Sequence, residues 1–450
     1  MDKYMEKSSI KKTAFFVLVL AFFTVVPILI LNVQGYRFDF KKMKLVETGG
    51  LSIKASAPEA NVFVNGQYKN RTSSFTRDLL VQNLAPEEYE IRVEKSGYHA
   101  WGKTLGVEEK KVTKAENIYL FPEKISFNVY KENIANFFLS KDKKVVLYLT
   151  DDNQIISSKN AVVLDSTEAK KYFSEIQEIK FFADNEKILI RGLNYQNKTV
   201  YYYIDASKPS SPAYLKVLED AEDYAMEEQS IVYKSKNQIL RYDFTSKTTE
   251  VLKTGASAFA MKDYYNIYAI EDKILTKTNL LSKNKEALSE KPLELDNYKL
   301  LMISDKILVF DGSSSFYLFK ENKKEFEPFL KTTNGINYAT LPDKIIFGNG
   351  YELWLLLLKD FETPFFQKNG VLVFLSRFSS KIDDVAWFNN DYFLYTSNNN
   401  LLVSEIDNRD SINAFSLSDM PIKKFWFDER EKTIYALSDN KIYVSDKFNP

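Results

Sequence analysis

Chemistry needs side chains that ionise, attack or hold a metal, and this chain is short of most of them. Among 450 residues it has 61 Asp and Glu, 61 Lys and Arg, one histidine and no cysteine. Without cysteine there is neither a thiolate nucleophile nor a thiolate metal ligand. The one imidazole, His99, follows Gly97-Tyr98 and stands two residues before Trp101, and no G-x-S-x-G elbow exists to build a triad around it. G-x-G-x-x-G and P-loop cradles are missing too. The expectation is no catalytic residue, no cofactor and no metal.

Carboxylates leave one route open. A glycosidase needs only two, about 5 to 9.5 Å apart. Asp383-Asp384 and the run Glu219, Asp220, Glu222 and Asp223 are the clusters that would supply them, unless they are simply wet loops. Asp151-Asp152-Asn153 offers oxygens to calcium but lacks the spaced D-x-D-x-D-G loop, so it reads as a turn. Asn70-Arg71-Thr72 and Asn197-Lys198-Thr199 match a glycosylation sequon, a pattern common by chance. A net charge of zero gives no basic field for nucleic acid.

The elements that would position such groups come from a repeat. Asp151-Asp152-Asn153-Gln154-Ile155, Ser235-Lys236-Asn237-Gln238-Ile239, Ser397-Asn398-Asn399-Asn400-Leu401 and Ser438-Asp439-Asn440-Lys441-Ile442 start 84, 162 and 41 residues apart, which is two, four and one periods of about 41. Each follows an apolar, aromatic-rich run and leads into another, which is a strand, a tight turn and a strand. Weaker copies stand at Arg191 to Gln196, Ile270 to Lys273, Asp311 to Ser315 and Gly348 to Tyr351. A period of 40 to 45 residues built from short strands is the mark of a β-propeller. Eight units are favoured, with seven blades or an open β-sandwich as alternatives. The last unit is one strand short, and the strand from Ile125 to Tyr130 is expected to complete it and close the ring. Trp387-Phe388, Trp426-Phe427 and Phe181-Phe182 recur at one blade position, which predicts packing between blades rather than sugar platforms. Aromatics at 15% of the chain suit such a core.

Thr13 to Val33 has no charge over 21 residues, enough at about 1.5 Å each to cross a hydrocarbon core of about 30 Å. A transmembrane helix over 13–33 behind a cytoplasmic tail, 1–12, is expected, with a cleaved signal peptide as the rival. Lys3, Lys7, Lys11 and Lys12 before it balance Arg37, Lys41, Lys42 and Lys44 after it, so charge alone leaves the orientation undecided. The Lys11-Lys12 pair and the short tail favour a cytoplasmic N-terminus.

Between this span and the repeats, Val62-Phe63-Val64 and Tyr89-Glu90-Ile91-Arg92-Val93 alternate as half-buried strands, Asn65-Gly66 is a hairpin signal, and Lys95-Ser96-Gly97-Tyr98 follows. This segment resembles the PEGA domain, a small extracytoplasmic β-sandwich. It departs from the pattern where Pro58-Glu59-Ala60 lacks a glycine and Glu87 replaces one. The resemblance implies a cell-envelope location and brings no catalytic residue. The whole chain is expected to be all-β after its helix: a PEGA-like β-sandwich over 48–121 and a β-propeller over 125–450. The function expected is non-enzymatic binding or scaffolding at the cell envelope. The partners would be the lipid bilayer through 13–33 and an envelope protein or glycan at the propeller loops. The alternatives are a glycan hydrolase with paired carboxylates and a subunit of a transport or secretion complex.

Overall fold

A computed structural model of the chain describes residues 2–33, 35–39, 43–206, 212–294, 298–332, 335–361 and 367–448. Helix α1, Asp2–Val33, is continuous through the stretch expected to be a separate tail, because Lys, Glu, Met and Ser residues before the span contain no helix breaker. Its window Ala14–Leu31 is long and apolar enough to cross a membrane and carries no protein cover. Pro27 lies inside it. A short antiparallel hairpin of Tyr36–Asp39 and Lys44–Glu47 follows.

Residues 49–118 form two sheets packed face to face. One holds three strands, Asp78–Leu84, Gly49–Ala55 and Val112–Ile118, the last two parallel. The other holds four: Gln67–Arg71, Asn61–Val64, Glu88–Glu94 and Trp101–Gly106. Val62, Val64, Tyr89, Ile91 and Val93 all fill the core between them. Asn65 and Gly66 take the left-handed backbone that a two-residue hairpin requires, at φ 50° and 72°.

Eight four-stranded antiparallel sheets make up the remainder among the described residues, each ordered from an inner strand A to an outer strand D. Blade 1 begins at Ile134–Leu139 and blade 8 ends at Lys441–Ser445. The recurring polar turn is the B–C connection of every blade, the weak copies included. Left-handed backbone recurs there at Asn153, Asn197, Lys236, Asp272, Lys273, Gly312, Gly350, Asn398, Asn399, Asp439 and Asn440. The apolar run ahead of each turn is strand B, buried on both faces: Tyr392–Ser397 and Lys344–Gly348 are buried along their whole length. D strands such as Thr249–Thr254 and Lys285–Ala287 are mostly exposed. The core is therefore a ring between the blades.

Closure comes from the early strand. Phe127–Glu132 pairs antiparallel with Lys441–Ser445 and becomes strand D of blade 8, with a bulge between Val129 and Lys131. Blades 8 and 1 then meet through Trp426, Leu437 and Ile442 against Ile134, Phe137, Val146 and Tyr148. The Trp426 ring lies 4.5 Å from that of Phe137 and stacks on Tyr435 at 4.4 Å. Trp387, at the matching place, donates from Nε1 to Ala339 O of blade 6, and Phe388 packs 4.8 Å from Phe427 of blade 8. These aromatics join neighbouring blades, as their spacing predicts. Trp426→Ala is expected to cost about 3–5 kcal/mol by opening a cavity at the closing junction. Trp354→Ala, on a half-buried ring, should cost less; denaturant unfolding of both variants measures the difference.

Candidate functional site

The sandwich is clamped to the propeller by a buried polar contact. In strand Trp101–Gly106 the core-facing positions are Trp101, Lys103 and Leu105. Lys103 thus points a charge inward, and its side chain is 0% exposed. Nζ meets Glu405 Oε1 of blade 7 at 2.8 Å and also donates to Asp407 O and Ser411 O. Trp101 Nε1 donates to the other oxygen of Glu405 at 2.8 Å. Asn413 completes the set, giving its N–H and Nδ2 to Glu405 Oε1 and exchanging hydrogen bonds with the Gly102 backbone. Every acceptor of the carboxylate is used, which is the condition for a buried ion pair to hold. Arg409 forks onto Asp407 and donates to Lys114 O, while Asn117 Nδ2 donates to Asp391 at 3.0 Å. Tyr119, Phe121, Phe388, Tyr392 and Phe448 pack an aromatic seam beside it.

This clamp lies on the face made by the A–B and C–D connections of blades 7 and 8. The opposite, distal face carries the B–C turns and the D–A connections. Those D–A connections range from Gly255 alone to the segment 288–298, and one holds the short helix α2, Ser166–Tyr172. Tyr195, Tyr338 and Tyr351 are exposed there by 63%, 47% and 41%. A cleft of about 660 Å³ opens on the same face between blades 1 and 2, bordered by Asn136, Asp151 and Arg191. A second, of about 710 Å³, lies on the clamp face at blades 3 and 4. Its lip is Tyr264 and Tyr265, and Tyr264 is held by Arg241 at 4.0 Å, itself forked onto buried Glu227. The C–D connections of blades 2 and 6 are residues 206–212 and 358–371, of which 207–211 and 362–366 lie outside the described residues.

The inner strands surround the central channel, and four of them carry a bulge at one equivalent point, past Ile134, Ile176, Ala256 and Ile382. Polar groups gather there. Lys424 Nζ donates to Phe137 O at 2.8 Å and lies over the Phe137 and Phe138 rings. Burial lowers its pKa, against the pull of Asp384. Asp384 is pushed up to about 6 by burial, with Lys424 opposing. Glu178 bonds Arg191, and Lys180 bonds Tyr224 at 3.0 Å. On the clamp side, burial likewise lifts Asp391 to about 6, with Lys344 and Asn117 opposing.

The residues singled out in the sequence scatter. His99 stacks on Phe415 of blade 7 at 4.8 Å, with Nε2 buried and no hydrogen-bond partner among the described residues. Asp383 and Asp384 stand on the innermost strand of blade 7 rather than in a wet loop. Glu222 pairs with Lys234, and Asp223 begins the inner strand of blade 3. Asp152 accepts from Thr150 inside the first B–C turn. Asn70 and Asn197 are exposed, on a sandwich edge strand and a B–C turn. The one sequence signal for the clamp is a lysine at an inward strand position, Lys103 between Trp101 and Leu105; nothing local marks Glu405 or Asn413.

The molecule is thus a β-propeller carrying a small β-sandwich behind an N-terminal apolar helix. Residues 48–118 match the family model of the PEGA domain. A comparison with curated proteins finds no match. Among solved structures, BamB from Moraxella catarrhalis is similar at 9% identity, covering 72% of this chain and 99% of that one with a TM-score of 0.44. The C-terminal WD40 domain of Sif2 is similar at 10% identity over 72% and 99%, TM-score 0.47. The computationally designed Ika8 protein follows at 12% over 71% and 98%, TM-score 0.43. The propeller assignment rests on the strand order given above.

Lys103→Met leaves Glu405 buried without its cation, which typically costs about 3–5 kcal/mol. Sandwich and propeller should then unfold in separate transitions, and limited proteolysis should cut faster within 119–126. A second expectation concerns pH. Asp384 and Asp391 have raised pKa values, so the native chain takes up protons before the unfolded chain does as pH falls through about 6. Their ionisation opposes folding above that range and ceases to do so near the unfolded pKa of about 4. The double variant Asp384→Asn/Asp391→Asn should gain about 1–3 kcal/mol on wild type at pH 8, and thermal scans should show the gain fading by pH 4.5.

Proposed function

We propose that this chain is a membrane-anchored scaffold of the cell envelope, with α1 as the anchor and the propeller's distal face as the binding surface for a protein partner. The clamp carries the reading: Lys103, Glu405 and Asn413 fix the sandwich, and with it the tether, to the face opposite the B–C turns. The distal rim is left open. Tyrosine and arginine, the residues that anchor protein interfaces, stand on it at Tyr195, Tyr338, Tyr351 and Arg191. Its D–A connections vary in length on a rigid ring, the arrangement in which loops take on recognition. Binding without turnover is part of the proposal. Supporting it, Glu178 is paired with Arg191, and Lys424 is the strongest charge acting on Asp384. A glycosidase needs a carboxylate facing a carboxylate.

Photo-crosslinkers placed singly at Asn153, Asn237 and Asn399 in the full chain should give a protein adduct in cells, and one at Tyr264 on the clamp face should not. Adducts at Tyr264 alone would move the surface. Release of reducing sugar from envelope glycan, abolished by Asp384→Asn, would make the propeller a hydrolase. Protease added to intact spheroplasts should digest the propeller, whereas full protection would place it in the cytoplasm.

A further inference from the structure

The cleft of about 710 Å³ on the clamp face is built around a pair of tyrosines. Its lining runs through the A–B connections of blades 1 to 4, from Lys141 and Ala183 to Tyr264 and Tyr265 at the lip. The two tyrosines keep 50% and 49% exposure, and their rings meet edge to face at 5.2 Å and 81°. Neither is loosely held. The Tyr265 N–H goes to Asp263 Oδ1 at 2.9 Å, and its carbonyl accepts from Leu280 N at 2.7 Å. Behind Tyr264 stand three side chains of residues more than nine-tenths buried, Arg241, Glu227 and Ser230. Ser230 Oγ and Arg241 Nε donate to one oxygen of Glu227, and Arg241 Nη2 donates to the other at 2.9 Å. The same Nη2 donates to Tyr264 O at 2.8 Å, and the guanidinium lies 4.0 Å from the ring centroid. Joining blade 3 to blade 4 needs only the carbonyl bond. The stack goes further and fixes a ring that stands half in solvent.

The other groups at the cleft decide what would lie on that ring. Lys141 and Lys262 stand against Glu228, Asp243 and Asp263, so neither sign of charge prevails. Asp263 and Asp243 are also committed to turns. Asp263 takes the N–H groups of Tyr265 and Asn266 and the Asn266 amide, and Asp243 takes the N–H groups of Thr245 and Ser246. Toward solvent this leaves a mixture of donors and acceptors, Lys141, Lys262, Glu228 and Gln229, beside two fixed rings. Hydroxyl groups, which donate and accept at one atom, match such a mixture. The C–H face of a pyranose matches an aromatic ring, whose π face is negative where those hydrogens are positive. Apolar lining beyond the tyrosines is confined to Met226, Met261, Ala183 and Ala225, too little for the desolvated anchor pocket of a protein interface. The volume falls within the roughly 300–1,000 Å³ of small-ligand sites.

We propose that this cleft binds an uncharged oligosaccharide, with a sugar ring laid on Tyr264 and its hydroxyls taken by Glu228, Gln229 and the two lysines. The site is separate from the distal face and does not depend on a protein binding there. Saturation-transfer NMR tests it, on the full chain in lipid nanodiscs free of sugar detergents, with chitotriose, cellotriose, maltotriose and mannotriose as probes. At least one of them should take saturation from the wild-type protein, chiefly at its ring C–H protons. Tyr264→Ala keeps the carbonyl that Arg241 holds and should weaken that binding about tenfold. Tyr264→Phe should retain it, and Tyr195→Ala on the distal face should leave it unchanged. Tyr265→Ala should also weaken it and gives a second reading if Tyr264→Ala folds poorly in a thermal scan. No transfer to any probe, or binding that Tyr264→Ala and Tyr265→Ala both leave intact, overturns the proposal. A protein adduct at the Tyr264 crosslinker would give the cleft to a protein and overturn it as well.

Discussion

Everything after residue 125 depends on one strand pairing, that of Phe127–Glu132 with Lys441–Ser445. Without it, blade 8 would present an unpaired edge and the ring would be held shut by side chains alone. The pairing also decides where the sandwich can lie. Strand D of blade 8 starts on the C–D face, so the segment before it, Tyr119 to Glu123, must arrive on that face. It arrives beside blade 7, where Tyr392 Oη receives the Tyr119 N–H at 3.1 Å and the Glu123 N–H returns to Gly97 O. The clamp at Lys103 and Glu405 therefore follows from ring closure, and the two could not be rearranged independently.

Long cationic side chains do much of the work between blades. Lys424 ties blade 8 to Phe137 of blade 1, Lys180 ties blade 2 to Tyr224 of blade 3, and Arg241 ties blade 3 to Tyr264 O of blade 4. Lys344, 1% exposed, reaches from blade 6 to Asn390 O of blade 7 across the Phe361 and Trp387 rings. In each case the methylenes or the guanidinium cover apolar or aromatic surface while the head satisfies an oxygen of the next blade. The aromatic wealth of the chain and its high lysine content are thus two halves of the same packing scheme, and a salt-bridge count would overlook it.

Much of this could be read from residue order, for a local reason. A turn that demands left-handed backbone selects Asn, Asp or Gly, so Ser397-Asn398-Asn399-Asn400 and its relatives announce themselves. Strand B, buried on both faces, must be a run of apolar residues, as in Phe393 to Tyr395. The sandwich was equally plain in Asn65-Gly66 and the alternation through Val93. The clamp was not. Glu405 lies far from Lys103 in sequence and follows an unremarkable Leu402-Val403-Ser404, and its significance exists only once two folded bodies meet. His99, a lone imidazole from which the sequence promises no chemistry, is a flat ring laid against Phe415.

The clamp grips the propeller at blades 7 and 8, on its rim and not over its axis. Such an eccentric mooring makes the ring a lever. Turning about α1 carries the moored blades through a small arc and blades 3 and 4, diametrically opposite, through a wide one. Were α1 to act as the anchor proposed above, the propeller would sweep a disc of space broader than itself, and its far rim would reach neighbours that a centrally mounted ring of equal size would not.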